Sequence, residues 1–386
     1  RMHHLEIWHQ FIETDAIPLR NEHIKALHQY YTRQKKQIAD ELTTLVDQFL
    51  LHVLDQQQRG ELKDCTMIQF SFMRTSLIEG KPIFMLEAVD RETMEKVQLT
   101  DFEYDAGWIY EYVNAWEAAC EERRKRYMNR IDRHTFEVWK TEQLYPFNIY
   151  MVHAVRYAMD TISQLSSFQE LAKDSYFEVR VGEYRDQEAS ESAYRINDRQ
   201  RTSITCKGWL ESRFDQEYIY EHLAKVDLAN GQFEGIDLNY ARLEEVTLTG
   251  SSLGGSKLLG TRFENCVCDG TDFHACLLID ADFRSCELVG ARFDGAWAVR
   301  DMAVEEHGLV FGMNGVQFQR ANLKGASFRH AKIAGDFTEA ELDGVDFTGA
   351  DLSGSRMLEK DLFRVVLTEE QRRTVTWVTA GDGAHG

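Results

Sequence analysis

The chain has 386 residues, a formal net charge of −20 and 43% hydrophobic residues. That length accommodates roughly two or three domains with a sizeable core, and the composition excludes wholesale disorder. The acidity argues against a general nucleic-acid binder, because a phosphate backbone would be repelled by the overall field.

The composition divides near residue 200. Glycine occurs 4 times in residues 1–200 and 21 times afterwards, while all 3 prolines lie in the first half. Charge does not follow that split: the first 200 residues carry 25 Lys+Arg against 34 Asp+Glu, and the remainder 19 against 30. Two architectures are therefore joined in one acidic chain. No basic start followed by an apolar run opens the sequence, so no targeting segment is expected. The most apolar window, 144–159, is too short to span a bilayer and holds Asn148, His153 and Arg156, so it reads as a buried helix. With 7 cysteines, no small-scaffold spacing and no CxxC, reduced thiols in the cytoplasm are expected.

In chain order, Asn21 opens a long helix to about Gln58, with Gly60 as its stop. Its stripe, Ile24, Leu27, Tyr31, Ile38, Leu42, Leu45, Phe49 and Val53, packs inside the domain or pairs with a second copy over residues 24–53. Met67–Ser76 and Pro82–Val89 read as a β-hairpin. A second helix starts near Asp105, and a third begins at Pro146, a residue suited to a first turn. Residues 176–181 alternate as a strand. These elements make residues 2–185 a mixed α+β domain. The polar stretch that follows makes 186–217 a linker and the N-terminal cap of the second half.

Arg123, Arg124, Arg126 and Arg130 belong to the basic cluster of this acidic domain and are candidates for contact with a partner or anion. The competing assignment is a solvated helix face, since Glu121 and Glu122 precede Lys125 and Arg126 by four residues, the favourable order for side-chain pairing. No phosphate-binding loop, dinucleotide fingerprint, nucleophile elbow or metal-ligand spacing is present. No catalytic residue, metal or cofactor is assigned.

From Leu223 every fifth residue is Leu, Phe or, once, Cys, through Phe293. The series resumes at Phe318, Leu323, Phe328 and Ile333, slips by one to Phe337, and continues to Leu367. Two positions before almost every one stands a small or β-branched residue, such as Val226, Ala241, Ser251 and Thr261. Neither helix nor plain strand has a period of five. A square coil does: each unit forms one side, the large residue fills the axis and the small one sits near a corner. Units such as Ala321-Asn322-Leu323-Lys324-Gly325 resemble the A-(D/N)-L-x-x motif of the pentapeptide-repeat family. The resemblance covers about residues 218–367 and implies a right-handed quadrilateral β-helix. Some 26 units make about 6.5 turns, a rod of roughly 31 Å at a strand spacing of ~4.8 Å. Cys266, Cys276 and Cys286 occupy the small inward position and Cys268 the large one, so they read as core.

Residues 296–315 interrupt the pattern and read as a loop leaving one corner, because Trp297 and His307 do not suit the core; both are candidate partner contacts. Thr368-Glu369-Glu370-Gln371 matches a capping box, so a short helix over 368–378 should cap the rod. It carries Trp377, and 379–386 read as a disordered tail. Since the resemblance extends to relatives that dimerise through the C-terminal end, Trp377 is a candidate dimer contact. The leading functional expectation is a non-enzymatic interaction scaffold for a protein partner. The alternatives are a DNA-mimicking modulator of a type II topoisomerase, and an enzyme with its site in the first domain and the rod as a docking platform.

Overall fold

A computed structural model describes residues 2–92, 101–184, 189–199, 201–300, 302–305 and 308–381. The chain divides into two compact units, Arg1–Ile196 and Asn197–Gly386. No helix among the described residues is long and apolar enough to cross a membrane.

The first unit opens with α1 (Met2–Phe11), a π-helical turn (Ile12–Ala16) and α2 (Ile17–Gln58). A π turn frees backbone groups from the regular ladder; here the Trp116 indole donates to the Ala16 carbonyl at 3.0 Å. Pro18 stands in the first turn of α2, where a missing N–H costs nothing. The apolar stripe of α2 is buried against α3 (Gly107–Lys125) and α5 (Tyr145–Ile162), so it is used within the unit and is not a surface for a second copy. Val46, not Leu45, takes the buried position in that stripe.

Five strands form the sheet beside these helices: β1 (Cys65–Phe72), β2 (Ile83–Asp90), β3 (Glu103–Asp105), β4 (Lys173–Glu183) and β5 (Ser190–Asn197), in the order β3-β2-β1-β4-β5. β1 and β2 are the expected antiparallel hairpin, with Phe72 opposite Phe84. β1 and β4 run parallel, with α3, α4 (Arg133–Glu142), α5 and α6 (Ser166–Glu170) in the crossover between them. The segment expected as a linker is structured instead: it contributes β5, and then α7 (Ser203–Glu211), capped by Thr202 on the Thr205 N–H. Sequence missed β5 because its buried side chains are Ser190 and Ser192, which carry no apolar alternation.

The second unit is a β-helix-type coil. Parallel bridges join residues 20 apart, as in Asp227↔Thr247, Gln232↔Ser252 and Asp237↔Lys257, and β6 (His222–Ala224), β7 (Arg242–Glu244) and β8 (Arg262–Glu264) stack by the same step. The large residues of the period of five are buried along the axis in one continuous core. Their phenyl rings form two columns: Phe263, Phe283, Phe318 and Phe337 stack at 4.4–5.4 Å, and Phe273, Phe293, Phe328 and Phe347 at 4.8–5.3 Å. Across the columns the rings meet edge to face, the favourable arrangement for aromatic quadrupoles.

The small inward residues also have a polar task. Ser251 Oγ donates to the Leu228 carbonyl at 2.6 Å and accepts the Gly231 N–H at 3.0 Å. Ser256, Thr261 and Thr271 donate to carbonyls of the preceding coil in the same way, and so do the thiols of Cys276 (3.1 Å) and Cys286 (2.9 Å). Each buried hydroxyl is thereby satisfied by the fold itself.

Two irregularities interrupt the coil. The ladder steps from Asp282 to Gln317 and from Glu287 to Asn322, 35 residues instead of 20, so 15 residues leave it. They lie beyond β9 (Trp297–Ala298), which stays in the ladder although the sequence places it in the loop, and include an antiparallel hairpin of β10 (Met302–Glu305) and β11 (Gly308–Phe311). At the slip, Ile333 to Phe337, one side has lost a residue and the step falls to 19, as in Asn322↔Glu341. Gly335 sits on that shortened side, where a Cβ would come within 2.7 Å of the Phe337 ring.

The chain ends with α8 (Glu369–Thr374) and a strand, Thr376–Val378. The capping box forms as expected. The helix does not reach Trp377, however. Val375 leaves the helical region, and the β-branched and aromatic residues after it, Thr376–Val378, pair in parallel with Arg356–Leu358, one further 20-residue step.

Candidate functional site

The basic cluster lies at the end of α3 and just beyond, and its arginines do not act as one patch. Arg124 folds back to hold the Glu121 carboxylate through two bonds of 2.9 and 2.8 Å and the Ile131 carbonyl at 2.9 Å. Arg123 lies 3.8 Å from Asp15, whose other carboxylate oxygen accepts the Tyr127 hydroxyl at 2.6 Å. These two are structural ties between α3 and its surroundings. Arg126 and Arg130 are exposed. The favourable spacing expected of this helix pairs Lys125 with Glu122 at three residues instead of four.

On the coil, each residue just before a buried axial residue stands in one of the parallel ladders. One row runs His222, Arg242, Arg262, Asp282, Gln317, Asp336, Arg356. It is laced by ion pairs and hydrogen bonds between successive coils: His222 Nε2 to Glu244 at 2.8 Å, Arg242 to Glu264 at 3.1 Å, Arg356 to Asp336 at 3.7 Å. His222 Nδ1 accepts the Asn197 N–H at 3.0 Å, so the ring proton sits on Nε2 and is donated to Glu244. Burial, with Arg242 nearby, lowers the His222 pKa below its ordinary value.

A second row runs Asp237, Lys257, Leu277, Trp297, Lys332, Asp351. Trp297 is half-buried within it, directly before the hairpin, and its neighbours along the ladder are Leu277 on one side and Lys332 on the other. Lys257 and Lys332 are exposed, so two partly covered apolar side chains lie between two cations. The far base of the hairpin is fixed by Asp280, whose carboxylate accepts the Met313 and Asn314 N–H groups at 3.0 and 2.7 Å. His307 lies outside the described residues. The sequence singled out Trp297 without its row. Counting 20 back yields Leu277, whereas Lys332 becomes a neighbour only once the 15-residue excursion is known.

Trp377 is partly buried against the axial core, and its indole donates to the Arg372 carbonyl at 3.0 Å. It is held within its own unit. The large exposed apolar side chains at this end, among the described residues, are Phe363 and Val366, 89% and 84% exposed; the period of five marks only Leu362 and Leu367 in this apolar run and so does not single them out. The thiols are free and buried, and burial pushes those of Cys266 and Cys276 up to about 12. No group of three or more His, Cys, Asp or Glu among the described residues could hold a metal ion.

No curated protein matches the chain significantly. Among solved structures, the chain is similar to a trypsin-treated form of QnrB1, a plasmid-mediated fluoroquinolone resistance protein, at 17% identity and a TM-score of 0.25, over 42% of this chain and 84% of that one. It is also similar to the pentapeptide repeat protein Rfr23 from the cyanobacterium Cyanothece 51142, at 18% identity and a TM-score of 0.20, over 39% and 97%. HetL, a pentapeptide repeat protein involved in heterocyst differentiation regulation from Nostoc sp. strain PCC 7120, matches at 16% and 0.14, over 40% and 94%. The family profile for pentapeptide repeats matches 8 copies in residues 256–296 and 313–357, the two blocks on either side of the hairpin, and does not reach the first unit. Residues 256–296 and 313–357 of the second unit are thus pentapeptide repeats by that match.

Proposed function

We propose that this chain is a non-enzymatic, cytoplasmic scaffold for protein–protein interaction, built on a right-handed quadrilateral β-helix. The 20-residue step supports four five-residue sides per coil. The bonds from Gln371 Nε2 to the Phe347 and Ala350 carbonyls, at 2.8 and 3.0 Å, support α8 as the cap of that helix. Seven free thiols support a reducing compartment.

The observation that carries the proposal is the row of Lys257, Leu277, Trp297 and Lys332 beside the hairpin. Inward positions of the repeats are occupied by structural packing, so recognition falls to such outward rows. An aromatic and an aliphatic side chain between two cations fit an acidic protein surface with an apolar centre. In-cell crosslinking with mass spectrometry on the full chain tests this. Partners captured by the native protein should be lost from a Leu277→Ser, Trp297→Ser double variant that keeps its circular dichroism. An identical set of crosslinks in both proteins would refute the assignment of the surface.

A specific observation also favours self-association through the C-terminal end: exposed Phe363 and Val366 adjoin the segment that leads into α8. Light scattering on the full chain should give twice the monomer mass, reverting to monomer in Phe363→Ser with Val366→Ser. A monomeric native protein would eliminate this contact.

A further inference from the structure

The first unit contains a cleft of about 470 Å³ that the scaffold reading does not use. It opens at the carboxyl ends of β1 and β4, the parallel pair of the sheet, where Phe72 ends β1 and Glu183 ends β4. Open α/β sheets offer binding crevices at this end of parallel strands, and the volume is that of a small-molecule site. The floor is apolar: Phe72 and Phe84, with ring centroids 5.0 Å apart, together with Val152 and Val181. The opposite wall is the junction from α4 to the first turns of α5.

The rim decides the charge of the ligand. Glu183 holds Arg74 through two bonds of 3.0 Å, so that pair is neutral. Glu191 accepts from the Tyr145 hydroxyl and lies 3.4 Å from Arg156, so it too has a counter-charge. Glu142 has no ion pair among the described residues, and it is the last residue of α4, where the helix dipole already places negative potential. The adjoining start of α5 does little to offset this. Pro146 has no N–H, and the Phe147 and Asn148 N–H groups both donate to the Leu144 carbonyl at 3.0 Å.

We propose that this cleft binds a small organic cation: an ammonium group at Glu142 and the carbonyl end of α4, with an apolar body on the two phenyl rings. An ammonium near an aromatic face gains further from the ring quadrupole. Among the described lining residues the one cation is Arg74, which Glu183 already occupies.

Calorimetry on the full chain tests this with 2-phenylethylammonium and its neutral counterpart, 2-phenylethanol. The amine should bind saturably, and the alcohol about fivefold more weakly, the upper range for one exposed ion pair. Glu142→Gln should weaken the amine by about the same factor and leave the alcohol unchanged. Val152→Trp should fill the floor and abolish binding of both at an unchanged melting temperature; if that variant does not fold, the Glu142→Gln comparison decides alone. Equal affinity for amine and alcohol, an amine affinity unaffected by Glu142→Gln, or no saturable heat with the amine up to about 10 mM would each overturn the proposal.

Discussion

Replacing Phe293 by leucine separates the contribution of the aromatic columns from that of simple burial. Phe293 is fully buried, stacked 5.0 Å from Phe273 and 4.8 Å from Phe328, and edge-on to Phe283 and Phe318 at 5.6 and 5.3 Å. Leucine already fills the equivalent axial position at Leu278 and Leu288, so the coil can accept it. The substitution therefore removes ring–ring terms while largely conserving apolar area. Four such pairs are worth about 0.5–1.5 kcal/mol each, and the leucine recovers part of that as dispersion, which leaves an expected loss of about 2 kcal/mol. Phe293→Ala adds a cavity and should cost about 3–5 kcal/mol. With a urea slope of roughly 2–3 kcal/mol per molar for a unit of this size, the leucine variant should unfold about 0.7–1 M earlier. Pulsed alkylation of Cys266, Cys276 and Cys286, read by mass spectrometry, follows the repeat unit alone, since all three thiols lie in its core. A leucine variant within about 0.5 kcal/mol of the native protein would refute a distinct aromatic contribution.

Three further outcomes follow from the geometry. His222 has a lowered folded pKa, so the unfolded chain binds its proton first as pH falls; its stabilisation is present above about pH 6.5 and is lost below. The urea midpoint should therefore drop more steeply from pH 7 to pH 5 in the native protein than in His222→Gln, and the opposite order would show the sign to be wrong. Native thiols should resist a disulfide reagent at pH 8, because all seven are buried and burial raises those of Cys266 and Cys276 to about 12; rapid reaction of any before unfolding would contradict the packing. Arg124→Ala should cost about 1–2 kcal/mol by releasing the Ile131 carbonyl and Glu121, whereas Arg126→Ala should stay within about 0.5 kcal/mol, measured by chemical denaturation.

The coil was legible because one residue in five meets the axis at every coil, so the sequence period and the structural period coincide. The one-residue slip at Phe337 was visible for the same reason, although not the way Gly335 accommodates it. The first unit was legible where a side chain reports burial, as in the stripe of α2, and illegible where the backbone acts alone. β5 buries serines, and Thr376–Val378 is held by a ladder whose other strand lies 20 residues away. The candidate surface was half legible. An outlying tryptophan can be seen in sequence, but its neighbours Leu277 and Lys332 are set by a stacking step that a single unit does not display. The cleft of the first unit escaped altogether, since Glu142, Val152 and Val181 come from three elements with no shared spacing.

The fifteen residues that leave the coil at Ala298 amount to three whole units, and the stacking beyond them resumes in register. Such an array is tolerant of cargo: a coil can carry an independent segment provided that its two feet meet at neighbouring positions of that same coil. Asp280 supplies one of those feet with a ready anchor for the returning backbone. Foreign loops grafted between Val299 and Gly312 should therefore be displayed without rebuilding the scaffold beneath, which makes this corner a natural site for diversification and for engineering.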